Sequence, residues 1–163
     1  MNILGQIIGV IGIAVNIVIY QQKSKNKILF FKLLSDMIWM IHFIFIGAYS
    51  GAAVAFIGII RETVFIFSTN HRKKILILFL IISFVSSYLT YKNIFSFLPA
   101  LASALSVISF WQKSPIVTKY LSLPIAVIMG IYGYTSGSIS GVCNEVLTVI
   151  SSTVSIAKNK KVS

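Results

Sequence analysis

The chain is poor in acid. Its 163 residues include only three acidic side chains, Asp36, Glu62 and Glu145, and charged residues of both signs make up 10 %, where soluble chains carry about a quarter. That scarcity excludes an ordinary water-soluble domain. Cysteine occurs once, at Cys143, which excludes an intrachain disulfide and leaves the redox compartment open. Two histidines, His42 and His71, with one cysteine and scattered carboxylates, match no metal-ligand spacing, so no metal and no cofactor is expected. The chain also lacks HExxH, GxSxG and a phosphate-cradling glycine loop. Its loops are too short to house a catalytic domain, and an enzyme is not expected.

Apolar residues fill the space instead. They make up 57 % of the chain, and mean hydropathy is +0.93. Apolar runs of about 17 to 21 residues recur almost end to end, each long enough to cross a bilayer as a helix. Strands are the poor alternative, because an open sheet edge fails in hydrocarbon and the alternation of barrel strands is missing. The expected fold is an all-α membrane protein with seven spans, near 3–20, 28–47, 51–69, 74–91, 94–111, 118–134 and 138–157. The first run has no basic n-region, and Tyr20-Gln21-Gln22-Lys23 is a poor cleavage site, so it reads as a retained helix.

The net charge of +11 is placed for a membrane rather than for nucleic acid. Lys23, Lys25 and Lys27 follow span 1; Arg72, Lys73 and Lys74 follow span 3; Lys113 and Lys119 follow span 5; Lys158, Lys160 and Lys161 close the chain. The alternate turns carry only Lys92. By the positive-inside rule the N-terminus is expected outside and the C-terminus in the cytoplasm. No basic stripe interleaved with exposed aromatics points to nucleic acid.

An internal repeat comes next. Gly47-Ala48-Tyr49-Ser50-Gly51 and Gly133-Tyr134-Thr135-Ser136-Gly137 match at an offset of 86 (133 − 47 and 137 − 51). Tyr20 to Ser24 resembles Phe110 to Ser114 at an offset of 90 (112 − 22 for the glutamines), the difference of four being assigned to the loop at Lys25-Asn26-Lys27. The expected layout is a single transmembrane domain, 1–163, with repeat 1 over 1–70, a linker helix over 71–93 and repeat 2 over 94–163. The inserted helix makes the two triplets parallel, a known transporter design with solute held between the halves.

This 3+1+3 pattern resembles the SWEET, SemiSWEET and PQ-loop transporters. His42-Phe43 before Gly47-Ala48-Tyr49, Ile60-Arg61, Leu98-Pro99, and Gly137-Ser138-Ile139 with Glu145 resemble more closely the YgjV-type bacterial inner-membrane family, over nearly the whole chain. The resemblance implies a multi-pass protein of the bacterial inner (cytoplasmic) membrane. SWEET-type hinge prolines would correspond to Pro99 and Pro124, while spans 1 and 2 have none; Gly5, Gly9 and Gly12 supply pliability in span 1. Asn144 resembles the substrate-facing asparagine of SWEETs, but at an offset of 86 its repeat position holds Gly58, which breaks a symmetric clamp.

All three acids fall inside predicted spans, where charge is expensive and faces a cavity or a partner. Glu62, beside Arg61, and Asp36 read either as internal charge pairs or as proton-linked groups, since carboxyls in dry sites can exchange protons near neutrality. Asp36 also reads as a snorkelling residue. Glu145 is far from any basic loop and is expected to face a cavity. Gly141, Asn144, Glu145, Thr148, Ser152 and Ser155 share one face of span 7. Gly51, Ala55, Gly58 and Glu62 do so on span 3, and Gly5, Gly9, Gly12 and Asn16 on span 1; glycines at this spacing ordinarily mean close helix packing. His42, with Trp39 one turn below, either hydrogen-bonds a neighbour or contacts solute or proton. Ser103 and Ser106 give span 5 a weaker polar side.

The reading is a transporter of a small polar solute, sugar-like or vitamin/nucleoside-like, working by alternating access. Glu145, Asn144, His42, Trp39, Thr148 and Ser106 are expected to contact solute, and Pro99, Pro124, Gly9 and Gly12 to act as hinges. Its partners are the solute and the lipid bilayer, with a homo-oligomer left open. The alternative is a non-transporting inner-membrane accessory protein, which predicts a bundle with no cavity near Glu145.

Overall fold

The computed structural model describes residues 2–67, 72–112 and 114–160, and these are helical almost throughout. The helices are α1 (Ile3–Gln21), α2 (Lys25–Phe45), α3 (Tyr49–Phe67), α4 (Arg72–Leu89), α5 (Leu98–Trp111), α6 (Pro115–Thr135) and α7 (Ile139–Lys160), with a 3-10 turn at Ile94–Phe97 before α5. His71, Lys113 and Lys161 lie outside the described residues.

Six of these segments are long and apolar enough to cross a membrane. The exception is α4, whose apolar part, Lys74–Leu89, extends about 24 Å at 1.5 Å per residue, short of the roughly 30 Å hydrocarbon core. The bundle is inside-out relative to a soluble protein. Ile7, Val10, Phe56, Ile81, Val127 and Val146 point outward, while serines at 35, 83, 103, 106, 109, 122 and 152 are buried. Small hydroxyl side chains let helices approach closely and satisfy one another in lipid.

Helix ends follow local chemistry. Asn2 caps α1, its side chain accepting the Gly5 N–H at 3.2 Å. Pro115 opens α6, where a missing N–H costs nothing. The two turns that join α2 to α3 and α6 to α7 are alike. Gly47 and Gly137 adopt φ of 73° and 72°, and the N–H groups of Ala48 and Ser138 donate back to Phe43 and Gly133 at 2.9 and 2.8 Å, the Schellman pattern. Gly47→Ala or Gly137→Ala is expected to cost about 1–2 kcal/mol, measurable by thermal unfolding in detergent. A loss as large at Gly130, which has ordinary backbone, would contradict that cause.

These turns correct the repeat register. Gly51 is already helical in α3 and Gly133 is still helical in α6. The α2 and α6 starts differ by 90 (115 − 25), as do the α1 and α5 ends (111 − 21) and the α3 and α7 starts (139 − 49). At these bounds, and at the positive-φ glycines (137 − 47), the interval is 90 rather than 86. A glycine pair spaced by four stands at both places, so aligning them one helical turn out of step was easy. At 90, Asn144 corresponds to Val54 rather than Gly58, and His42 to Tyr132.

Around the axis, α1 packs on α2 and α7, α2 on α3, α3 on α5, α5 on α6, and α6 on α7, while α4 lies outside against α3 and α5. At one end Asn2 donates to Phe45 O, Gln6 to Gly137 O and Lys92 to Gly47 O, at 2.8, 3.2 and 2.7 Å. The N-terminus and all three lysine-poor connections therefore share one end of the bundle. Below it Trp39, Phe43, Ala48, Ala52 and Tyr132 form an apolar cluster; Ile19, Ile28, Leu29, Phe65 and Phe110 form another at the lysine-rich end.

Candidate functional site

Between the two clusters lies a cavity of about 110 Å³, room for several waters at roughly 10–15 Å³ each. Every helix of the ring lines it: Asn16 from α1, Asp36 and Trp39 from α2, Ala55 and Arg61 from α3, Pro99, Ser103 and Ser106 from α5, Met129 from α6, and Asn144, Glu145 and Thr148 from α7. A chain of hydrogen bonds crosses it. Ser35 Oγ donates to Asn16 Oδ1 at 2.6 Å, Asn16 Nδ2 to Asn144 Oδ1 at 2.8 Å, and Asn144 Nδ2 to Glu145 Oε1 at 2.9 Å. Glu145 is half-buried. It lines both this cavity and an outward groove between α6 and α7, walled by Val127, Ile131, Val142 and Val146.

A second cluster gathers charge on α2 and α3. Arg61 donates to Glu62 Oε1 from Nε at 3.1 Å and from Nη2 at 2.7 Å. Its Nη1 donates to Ser103 Oγ at 2.9 Å, and Nη2 lies 4.0 Å from Asp36 Oδ2. Lys32 pairs with Asp36 one turn along α2. Arg61 and Glu62 are 3 % and 0 % exposed, a depth at which only paired charge is tolerated. Asp36 is thus a buried partner of Lys32 and Arg61, not a snorkelling residue at the surface.

Bonds between helices flank the cavity at both ends. At the turn end Tyr132 Oη accepts the Gly51 N–H at 2.9 Å and lies 2.8 Å from Ser50 Oγ, joining α6 to α3. Rings run Trp39, His42, Phe43, Tyr132, with neighbouring centroids 5.0 to 5.7 Å apart. At the other end Lys25 Nζ donates to Thr118 Oγ1 at 2.8 Å, Gln21 Nε2 to Ser151 Oγ at 2.9 Å and Lys119 Nζ to Ser155 Oγ at 2.7 Å.

The expected contact residues therefore divide. Glu145, Asn144, Trp39, Thr148 and Ser106 line the cavity. His42 does not. It is fully buried at the turn end, with Nδ1 2.7 Å from Gly5 O and Nε2 2.7 Å from Ser138 Oγ, and both nitrogens are engaged. Pro99 does line the cavity, but it occupies the first turn of α5, where proline starts a helix rather than bending one. Pro124 sits inside α6. Gly9 and Gly12 are contact surfaces: a Cβ on Gly12 would lie 2.9 Å from the Trp39 ring, and one on Gly9 would run into Ser140.

Lys32, Ser35, Tyr132, Lys25 and Thr118 were not anticipated as site residues. Lys32 was signalled by its four-residue spacing from Asp36, and Tyr132 by its place 90 residues after His42.

The structure leaves a part-open, largely apolar cavity crossed by a chain of polar side chains. No curated protein and no solved structure matches the chain. A family model described as a bacterial inner membrane protein, Imp-YgjV, matches residues 3–162, all but the ends. The chain belongs to the Imp-YgjV family of bacterial inner membrane proteins.

Proposed function

We propose that the chain carries a small polar solute, sugar-like or vitamin/nucleoside-like, across the inner membrane by alternating access between two three-helix repeats, α1–α3 and α5–α7. The observation that carries this reading is the cavity whose polar chain passes from Asn16 on one triplet to Asn144 and Glu145 on the other. The recurrence of helix bounds and turns at 90 residues supports two parallel units. Tyr132–Ser50 at one end and Lys25–Thr118 at the other bind triplet to triplet. Opening either set while keeping the other would expose the chamber to one side at a time. In this reading α4 is the seventh crossing, its short span met by local bilayer thinning. By the positive-inside rule the lysine-rich connections of the sequence would face the cytoplasm, with the N-terminus outside.

The test is a thermal-shift screen of polar solutes on detergent-purified protein, since a ligand that binds the folded state raises its melting temperature. Uptake of each hit into proteoliposomes follows. Glu145→Gln and Asn144→Ala are each expected to lower uptake at least tenfold, the effect of losing about 1.4 kcal/mol of binding. Unchanged uptake in both would remove the site assignment.

A further inference from the structure

The charge cluster contains an unused acceptor. Glu62 Oε1 takes both hydrogen bonds from Arg61, while Glu62 Oε2 is buried without a partner. That oxygen lies over the bare Cα of Gly58: a Cβ built there would be 3.3 Å from it and would overlap Asp36 Oδ2. Asp36 is arranged the same way, its Oδ1 paired with Lys32 and its Oδ2 turned toward the same gap, 4.0 Å from Arg61 Nη2. Glu62 Oε2 and Asp36 Oδ2 thus both border the space a Cβ on Gly58 would fill, the first without a partner and the second only at the edge of ion-pair distance from Arg61. Two carboxylate oxygens on one buried gap repel, and an unsatisfied buried acceptor such as Glu62 Oε2 is costly.

We propose that one exchangeable proton resides between Glu62 and Asp36, carried on Glu62 Oε2 and donated to Asp36 Oδ2, above Gly58. A protonated carboxyl is a donor, so this proton turns the facing oxygens into a hydrogen bond without disturbing either cation. The groups facing the pair are Lys32 from α2 and Arg61 from α3. Ser103 from α5 holds Arg61 and is itself bonded to Ser83 of α4 at 2.9 Å. Phe110 of α5 carries Arg61 at 5.5 Å and Lys25 at 5.2 Å from its ring centroid. On the open side lies the cavity, which Asp36 and Arg61 share with Glu145. The proton site is therefore distinct from the Asn144–Glu145 contacts but opens on the same chamber. It rests on the transporter reading only for its use, as the coupling ion; the proton itself stands on the side-chain geometry.

The scarcity of acids makes the proton assignable. With two glutamates and one aspartate in the chain, Glu145→Gln leaves Glu62 as the only glutamate. Infrared spectra of the full chain in phosphatidylcholine–phosphatidylglycerol vesicles are recorded across a pH series, unlabelled and with 13C on glutamate or on aspartate side-chain carboxyls. The expected result is one protonated-carboxyl band in the Glu145→Gln protein that shifts with the glutamate label and stays with the aspartate label. Asp36→Asn is expected to move the same band, because its acceptor changes. Absence of a protonated-carboxyl band at every pH, or a band that follows the aspartate label, would overturn the proposal. Should Glu145→Gln not fold, glutamate-labelled wild type decides instead: a band that Asp36→Asn moves belongs to Glu62, and one it leaves in place counts against the site. No outcome depends on transport, so failure here leaves the uptake test on Asn144 and Glu145 standing.

Discussion

Arg61→Ala is expected to destabilise the folded protein by about 3–5 kcal/mol, the cost of stranding a buried charge by removing its partner. Arg61 is 3 % exposed and Glu62 0 %, so solvent screens neither. Glu62 would lose both donors to Oε1, and Ser103 and Asp36 would lose the same neighbour. Measured at a pH where the proton of the Glu62–Asp36 pair has dissociated, the stranded carboxylate, more than the lost contact, sets the size of the effect. Arg61→Met combined with Glu62→Gln should therefore recover much of it, since replacing both partners of a buried pair is often close to neutral. Chemical denaturation in detergent measures both variants. A single-variant loss near 0.5 kcal/mol, the size expected at an exposed site, would mean that Arg61 does not sit in the interior.

Gly9→Ala is the second large effect, and its cause is steric. A Cβ at residue 9 would stand 2.6 Å from Ser140 Cβ and 3.0 Å from His42 Nδ1, so α1 must move off α7 or His42 must leave its bond to Gly5. Overpacking of this kind costs about 1–3 kcal/mol. Ser140→Gly removes the obstructing side chain, and in the double variant the two changes should couple by about 0.5–3 kcal/mol, as residues in contact do. Purely additive losses in melting experiments would show that Gly9 and Ser140 do not touch.

Much of this architecture was legible because lipid imposes it. Apolar runs of spanning length mark where helices must be, and the predicted spans at 3–20 and 94–111 end within a residue of α1 and α5. Glu145 was expected to face a cavity and lines the chamber, whereas Asp36, also read as a snorkelling residue, is buried against Lys32 and Arg61. Register was less legible. Gly47 and Gly51, like Gly133 and Gly137, are four apart, and a slip of four residues keeps a helical face nearly unchanged. Only backbone conformation separates them: positive φ at Gly47 and Gly137 identifies the equivalent glycines. Pro99 falls in the expected span 94–111, but its place in the first turn of α5 is not given by sequence, which shows a proline's presence and not where the helix starts.

By itself the sequence determined the class of protein, the number of helical segments and the segments that gather lysine. All of these follow from transfer free energies along the chain, and no knowledge of neighbours is required. Only the tertiary structure decided which groups meet. That Asn16 reaches Asn144, 128 residues away, that His42 closes an end instead of lining the chamber, and that Glu62 leaves one oxygen facing Asp36 depend on how helices rotate and pack against one another. Local pattern cannot fix those rotations, because several faces of each helix are apolar enough to meet either lipid or protein.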